Sequence, residues 1–289
     1  MEGHCGALTM ERATWLGGLA LLLWALLALL SRAAASLPPF QLAAMTFAVS
    51  GGLGLTWLWA TRGLVALRLP PLAWLHGVGG LFGYHALFFA AMARAPAAEA
   101  NLLNYTWPLL IVLLSAPLLG LRLTVRHVLG VIAGLSGSLL LLAQGTNFTA
   151  GALLGYVCAM GAALTWALYS VIARRMRAVP TEAVIGFCAI SSILAAGAHI
   201  LFESTVVPDR ETLLAVVALG VGPVGAAFLL WDFAMKRGDP RLLGSLAYAT
   251  PVASTIILGL AGFAPLSLST VAATLLVVAG GWFAAGASR

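Results

Sequence analysis

Charged and strongly polar positions along this chain are few and bunched, and between the bunches apolar residues occupy every face that a helix would present. Reading from bunch to bunch predicts ten helices, over 13–31, 40–60, 71–92, 98–119, 126–144, 151–173, 181–202, 212–235, 241–261 and 267–286. Each is close to the roughly 20 residues that a helix needs to cross the hydrocarbon of a bilayer. The runs do not alternate polar with apolar, which excludes a closed β-barrel, the other way to satisfy backbone groups in lipid. The connecting segments are too short to hold a soluble domain. The pattern therefore predicts an all-α polytopic membrane protein with ten transmembrane helices.

The chain also repeats itself. Trp24-Ala25-Leu26 with Arg32 recurs 142 residues later as Trp166-Ala167-Leu168 with Arg174. At an offset of 143, Ala91-Met92 with Arg94 recurs as Ala234-Met235 with Arg237, Tyr105-x-x-Pro108 as Tyr248-x-x-Pro251, Gly77 as Gly220 and Gly137 as Gly280. No single match is specific, but five in one order divide the chain into halves, 1–145 and 146–289, of five helices each. Five is odd, so the second half enters the membrane from the opposite side. Two inverted five-helix repeats are an architecture of secondary transporters, in which two pseudo-symmetric packings expose one midplane site to either side in turn. The repeat also argues against reading Arg12, the first apolar run and Ala33-Ala34-Ala35 as a cleaved signal peptide.

Composition agrees. Charged residues make up 8% of the chain and hydrophobic residues 62%, against about 25% charged in a soluble domain. The basic residues are fourteen Arg and one Lys, spread singly, so they form no nucleic-acid footprint. With the N-terminus inside, Arg12, Arg62, Arg68, Arg122, Arg126, Arg174, Arg175, Arg177, Lys236, Arg237, Arg241 and Arg289 fall on the inner side, and Arg32, Arg94 and Arg210 on the outer. That bias places both termini in the cytoplasm. Cys5, Cys158 and Cys188 form no CxxC pair and read as packing residues. The sequon Asn147-Phe148-Thr149 reads as chance in a bacterial composition. No metal-ligand spacing, paired Asp, HExxH or Ser with a base is present, so neither a cofactor nor catalysis is expected.

Candidate chemistry gathers on a few spans. Asn101, Asn104, Tyr105 and Pro108 share one helix face. Carboxamides are costly against lipid, so that face should turn into the bundle, where they both donate to and accept from a zwitterionic solute. Pro108 removes a backbone hydrogen bond and frees a carbonyl. The alternative for these Asn residues is interhelical glue. Tyr84 and His85 lie inside the third span; an imidazole titrates near neutral pH and can also relay a proton. Trp24, Trp107, Trp166, Tyr169 and Trp231 lie deep enough to stack on a ring or to pack on each other, and Tyr248 offers a ring from the second half. Trp15, Trp57, Trp59 and Trp74 read as an interfacial belt. Asp232 stands one turn from Lys236, as an ion pair or as a gate or coupling residue.

The stretch Glu99-x-x-x-x-Asn104-Tyr105-x-Trp107-Pro108, with Gly83-Tyr84-His85, Trp166-Ala167-x-Tyr169 and Trp231-Asp232, resembles the bacterial aromatic-amino-acid exporters of the YddG type, in the drug/metabolite transporter superfamily. The resemblance implies ten helices about a central cavity, export of aromatic and other neutral amino acids, and a place in the inner membrane. The expected partners are a small-molecule substrate and the lipid bilayer, with no nucleic acid and a monomeric chain. Open alternatives are a cation, multidrug or other metabolite exporter of the same superfamily, or a channel or scaffold without a transport cycle. A sugar-phosphate carrier would need buried basic residues, and here every one lies near a span end.

Overall fold

In the computed structural model the backbone is described for residues 2–142, 149–263 and 267–287. Asn147 and Phe148 of the sequon, Arg289 and the side chain of Cys5 lie outside the described residues. Every regular element among the described residues is a helix: α1 Glu2–Ala25, α2 Leu27–Ala33, α3 Pro39–Thr61, α4 Pro71–Met92, α5 Ala97–Asn104, α6 Trp107–Leu119, α7 Val125–Leu142, α8 Leu153–Ala173, α9 Ala183–Phe202, α10 Arg210–Leu219, a π-helical turn Gly220–Ala226, α11 Ala227–Arg237, α12 Pro240–Leu246, α13 Ala249–Leu260 and α14 Leu268–Ala287, with short 3-10 turns at Leu64–Leu67 and Ala150–Ala152.

Among the described residues nine segments are long and apolar enough to cross a membrane, and Val125–Leu140 is a shorter apolar helix. That helix answers to the fifth expected span, 126–144, whose last two positions lie outside the described residues. Helix ends follow local chemistry. Pro39, Pro71 and Pro240 open their helices, where a missing N–H costs nothing. Asp209 accepts from the Thr212 N–H at 2.8 Å and caps α10. Gly120, at φ 68°, lets the chain leave α6 in a left-handed conformation.

Two spans are broken at positions that the repeat relates. The span Ala97–Leu119 breaks at Tyr105-Thr106, and Pro240–Leu260 breaks at Ala247-Tyr248. Each break falls within a few residues before the matched Pro108 or Pro251, which has no N–H to continue the ladder.

The helix pairings also exchange between halves. α3 packs on α9, and α7 on α14; α4 on α8 has its counterpart in α1 on α11, and α6 on α8 in α1 on α13. The matched glycines do matching work. A Cβ on Gly77 would collide with Phe187 of α9, and one on Gly220 with Val49 of α3. Gly130 and Gly134 let α7 approach Ala284 and Tyr248 within the one chain.

Trp15, Trp57 and Trp59 are exposed, as a belt requires. Trp74 departs from that expectation: its ring turns inward and meets Phe187 edge to face at 5.4 Å.

Candidate functional site

The main core of the bundle holds a cluster of rings. Trp24 of α1 meets Trp166 of α8 at 5.5 Å between centroids, Trp231 of α11 at 5.1 Å, Phe228 at 6.0 Å and Trp107 of α6 at 6.3 Å. Trp107 meets Trp166 and Trp231 nearly at right angles. Edge-to-face pairs of this kind each contribute about 0.5–1.5 kcal/mol beyond area burial. Two of the indole donors are satisfied locally: Trp24 Nε1 donates to the Pro223 carbonyl at 2.9 Å and Trp231 Nε1 to Ser170 Oγ at 2.9 Å. Pro223 lies in the π-helical turn, where the regular i to i+4 ladder is interrupted and its carbonyl is open to a side chain.

Against this floor stands a partly exposed wall. The Tyr84 ring lies 5.4 Å from Trp166, and the His85 ring 6.5 Å from Phe228 and 5.1 Å from Phe47. Phe88 and Phe89 continue the wall along α4. His85 Nδ1 bonds the Leu81 carbonyl at 2.7 Å. A carbonyl only accepts, so Nδ1 carries the proton and Nε2 of the neutral ring is left as an acceptor. Asn104 Nδ2 donates to the Tyr84 hydroxyl at 3.1 Å, while its buried Oδ1 has no partner among the described residues. Whichever way round the amide lies, one end holds Tyr84 and the other stays open to a further polar group.

At the arginine-rich end of the bundle a buried ion pair lies beyond Trp231. Lys236 Nζ donates to Asp232 Oδ2 at 2.6 Å and to the Val179 carbonyl at 2.9 Å, and Thr181 Oγ1 donates to the same carboxylate at 2.8 Å. Arg174 donates to the Gly238 carbonyl beside it. These bonds tie the connection between α8 and α9 to α11. His76 stacks on Tyr169 at 5.1 Å, and both line a cavity of about 10 Å³ with Asp232 and Lys236. The ion pair read from the sequence is therefore present.

The structure brings Tyr84, His85, Asn104, Trp107 and Trp166 to one place and seats Tyr169 and Trp231 just behind them. Asn101 stands one turn before Asn104, and Tyr105 lies at the break in the span, with Pro108 buried behind it. Tyr248 is not brought to the rings. It is wholly buried in a separate cluster with Val112, Val131 and Val277, against Gly134. The break at Ala247-Tyr248 turns it into that cluster.

Phe47, Phe88, Phe89 and Phe228 were not among the candidates read from the sequence. One signal was available: Phe228 stands 143 residues from His85, and Trp24 stands 142 from Trp166. Among the described residues no group of three His, Cys, Asp or Glu is placed to hold a metal ion.

The comparisons with known proteins bear on this geometry. The aromatic amino acid exporter YddG of Ancylobacter novellus is 49% identical over 277 residues, which cover 94% of this chain and 96% of that protein. The aromatic amino acid exporter YddG of Escherichia coli is 25% identical over 294 residues, with the same two coverages. A solved crystal structure superposes with a TM-score of 0.93 at 49% identity, over 96% of this chain and 98% of its own. Residues 12–143 and again 153–285 match the model of the EamA-like transporter family. With both halves matched and so close a relative along the whole length, this chain is a multi-pass membrane protein of the EamA-like transporter family, within the drug/metabolite transporter superfamily.

Proposed function

We propose that this chain exports aromatic and other neutral amino acids across a bacterial inner membrane, with both termini in the cytoplasm, by alternating access of two inverted five-helix halves about the aromatic basin. The observation that carries the reading is the juxtaposition of a half-satisfied carboxamide, Asn104, with the Tyr84 hydroxyl and His85 Nε2 beside a floor of Trp and Phe rings. A zwitterionic aromatic amino acid matches each part. Trp166 and Phe228 are buried in this structure, so its ring would reach them as the halves part, and its ammonium would donate to Asn104 Oδ1 and His85 Nε2. Its carboxylate accepts from the Tyr84 hydroxyl, so both formal charges are hydrogen-bonded by neutral groups and no charged side chain is used. Burial of the ring supplies about 1.5–3 kcal/mol, so phenylalanine should be preferred to alanine by roughly tenfold to a hundredfold.

Two further observations support the cycle. The helix pairings exchange between halves, as a carrier with two equivalent packings requires. Asp232 and Lys236 form a latch: parting α11 from the connection between α8 and α9 breaks their bonds and opens that end. A cation exporter is less well served, because this buried carboxylate is already paired.

The test is flux of radiolabelled tryptophan into proteoliposomes of the purified protein, with phenylalanine, alanine, a sugar phosphate and a quaternary ammonium as competitors. Saturable flux competed by phenylalanine far better than by alanine supports the reading. Competition led by the sugar phosphate or the cation overturns the substrate class, and non-saturable flux overturns alternating access in favour of a channel.

A further inference from the structure

A cavity of about 670 Å³, separate from the aromatic basin, lies between α3, the start of α9, the π-helical turn and α11. These helices pack closely at one depth, where Gly51 of α3 abuts Ala189 and Gly220 abuts Val49. Nearer the arginine-rich end α3 stays against α9, where Gly54 abuts Ile185, but α11 stands off from α3 and leaves a trough. Its walls are apolar: Leu53, Ile185, Val221, Leu229 and Phe233. Leu53 and Val221 are exposed, with 57% and 48% of their surfaces accessible.

The mouth of the trough is different. Arg177, Glu182, Lys236 and Arg237 stand around it. Glu182 is neutralised by Arg62 at 2.7 Å, and Lys236 by Asp232 at 2.6 Å. Arg177 and Arg237 have no carboxylate partner among the described residues. Arg237 lies over the Phe233 ring at 4.1 Å, so its guanidinium is held at the point where the apolar wall ends. The rim thus carries a surplus of two positive charges above a hydrocarbon-lined slot.

The dimensions match half a bilayer. From Gly225 on the floor to Arg237 at the rim the helix advances about 18 Å, and one leaflet has a hydrocarbon depth of about 15 Å. The guanidinium groups therefore reach the headgroup layer when the walls lie among acyl chains. We propose that this trough is a binding site for one anionic phospholipid of the leaflet at the arginine-rich end, with its phosphate on Arg177 and Arg237 and an acyl chain along Leu53, Ile185 and Phe233. Charge complementarity selects the lipid: a zwitterionic headgroup leaves the rim's two charges uncompensated, whereas a phosphatidylglycerol headgroup supplies net negative charge. The site is independent of which amino acid the basin carries.

The experiment is native mass spectrometry of the delipidated full chain, with phosphatidylglycerol or phosphatidylcholine of identical acyl chains added back. Wild type should retain phosphatidylglycerol about thirtyfold better, as expected of two basic groups at a membrane surface. The variant Arg177→Ala/Arg237→Ala should lose that preference, and Arg177→Lys/Arg237→Lys should keep most of it. Equal retention of the two lipids by wild type, or an undiminished preference in the Ala variant, overturns the site. If the Ala variant does not fold, Leu53→Trp decides, because a ring in the slot should lower retention of phosphatidylglycerol; unchanged retention there also overturns it.

Discussion

Trp24 and Trp166 occupy equivalent points of the two halves, 142 residues apart, and in the structure they meet each other with ring centroids 5.5 Å apart at an interplanar angle of 74°. His85 and Phe228, equivalent at an offset of 143, also meet, at 6.5 Å. Repeat-related residues touch only near the axis that relates the repeats. The aromatic basin therefore sits where the halves join, and under the proposed alternating access a rocking of one half on the other would reshape it directly.

This placement makes Trp24 a sensitive position. Trp24→Ala should cost about 3–5 kcal/mol, as other large-to-small changes in packed cores do, and should lower the yield of folded protein. Trp24→Phe keeps a ring but leaves the buried Pro223 carbonyl without its donor, a loss of about 1–3 kcal/mol. Thermal unfolding of the two variants in detergent should rank Phe between wild type and Ala; a Phe variant as stable as wild type would show that the hydrogen bond contributes nothing.

Asn104→Ala should reduce tryptophan flux by tenfold or more, since a hydrogen bond to a charged group contributes about 1.5–3 kcal/mol, with little change in the amount of folded protein. Tyr84→Phe should have a smaller effect, because it removes the hydroxyl that holds the amide and not the amide itself. If the Asn104 variant loses protein in proportion to flux, the residue is interhelical glue.

Asp232→Asn leaves Lys236 buried without a counter-charge and should destabilise the protein by about 3–5 kcal/mol. Asp232→Leu/Lys236→Met should recover most of that loss, since replacing a whole buried pair by apolar residues is often neutral. Under the proposed latch the double variant also favours the state open at that end. A thiol introduced by Thr181→Cys should then react faster with a membrane-impermeant maleimide than in the background with the pair intact; equal rates would remove the latch.

Reporter tags on either terminus should both signal the cytoplasm, and a periplasmic signal from one of them would overturn the proposed orientation.

Much of the molecule was legible in one dimension. Lipid imposes a length and a composition on every span, so Pro71–Met92 coincides with its expected bounds and Pro39–Thr61 lies within a residue of them. The paired helix breaks were foreshadowed by Pro108 and Pro251, whose missing N–H acts locally. The Asp232–Lys236 pair was legible for the same reason, because a spacing of four residues on one helix brings side chains together whatever surrounds it. Hydropathy did not show the π-helical turn at Gly220–Ala226, which left the expected span continuous.

The sequence by itself determined the helical class, the near-full set of spans, the twofold division and the family, because hydrophobic periodicity, proline chemistry and self-similarity are properties of neighbours along the chain. Only the tertiary structure decided which aromatics face one another. Tyr105 and Tyr248 are matched in sequence, yet Tyr248 is sealed against Gly134 while the candidate site lies around Tyr84 and Asn104. That outcome depends on the rotation of each broken helix and on how closely its neighbours approach. Those quantities are set by packing between segments more than a hundred residues apart, and no local pattern encodes them.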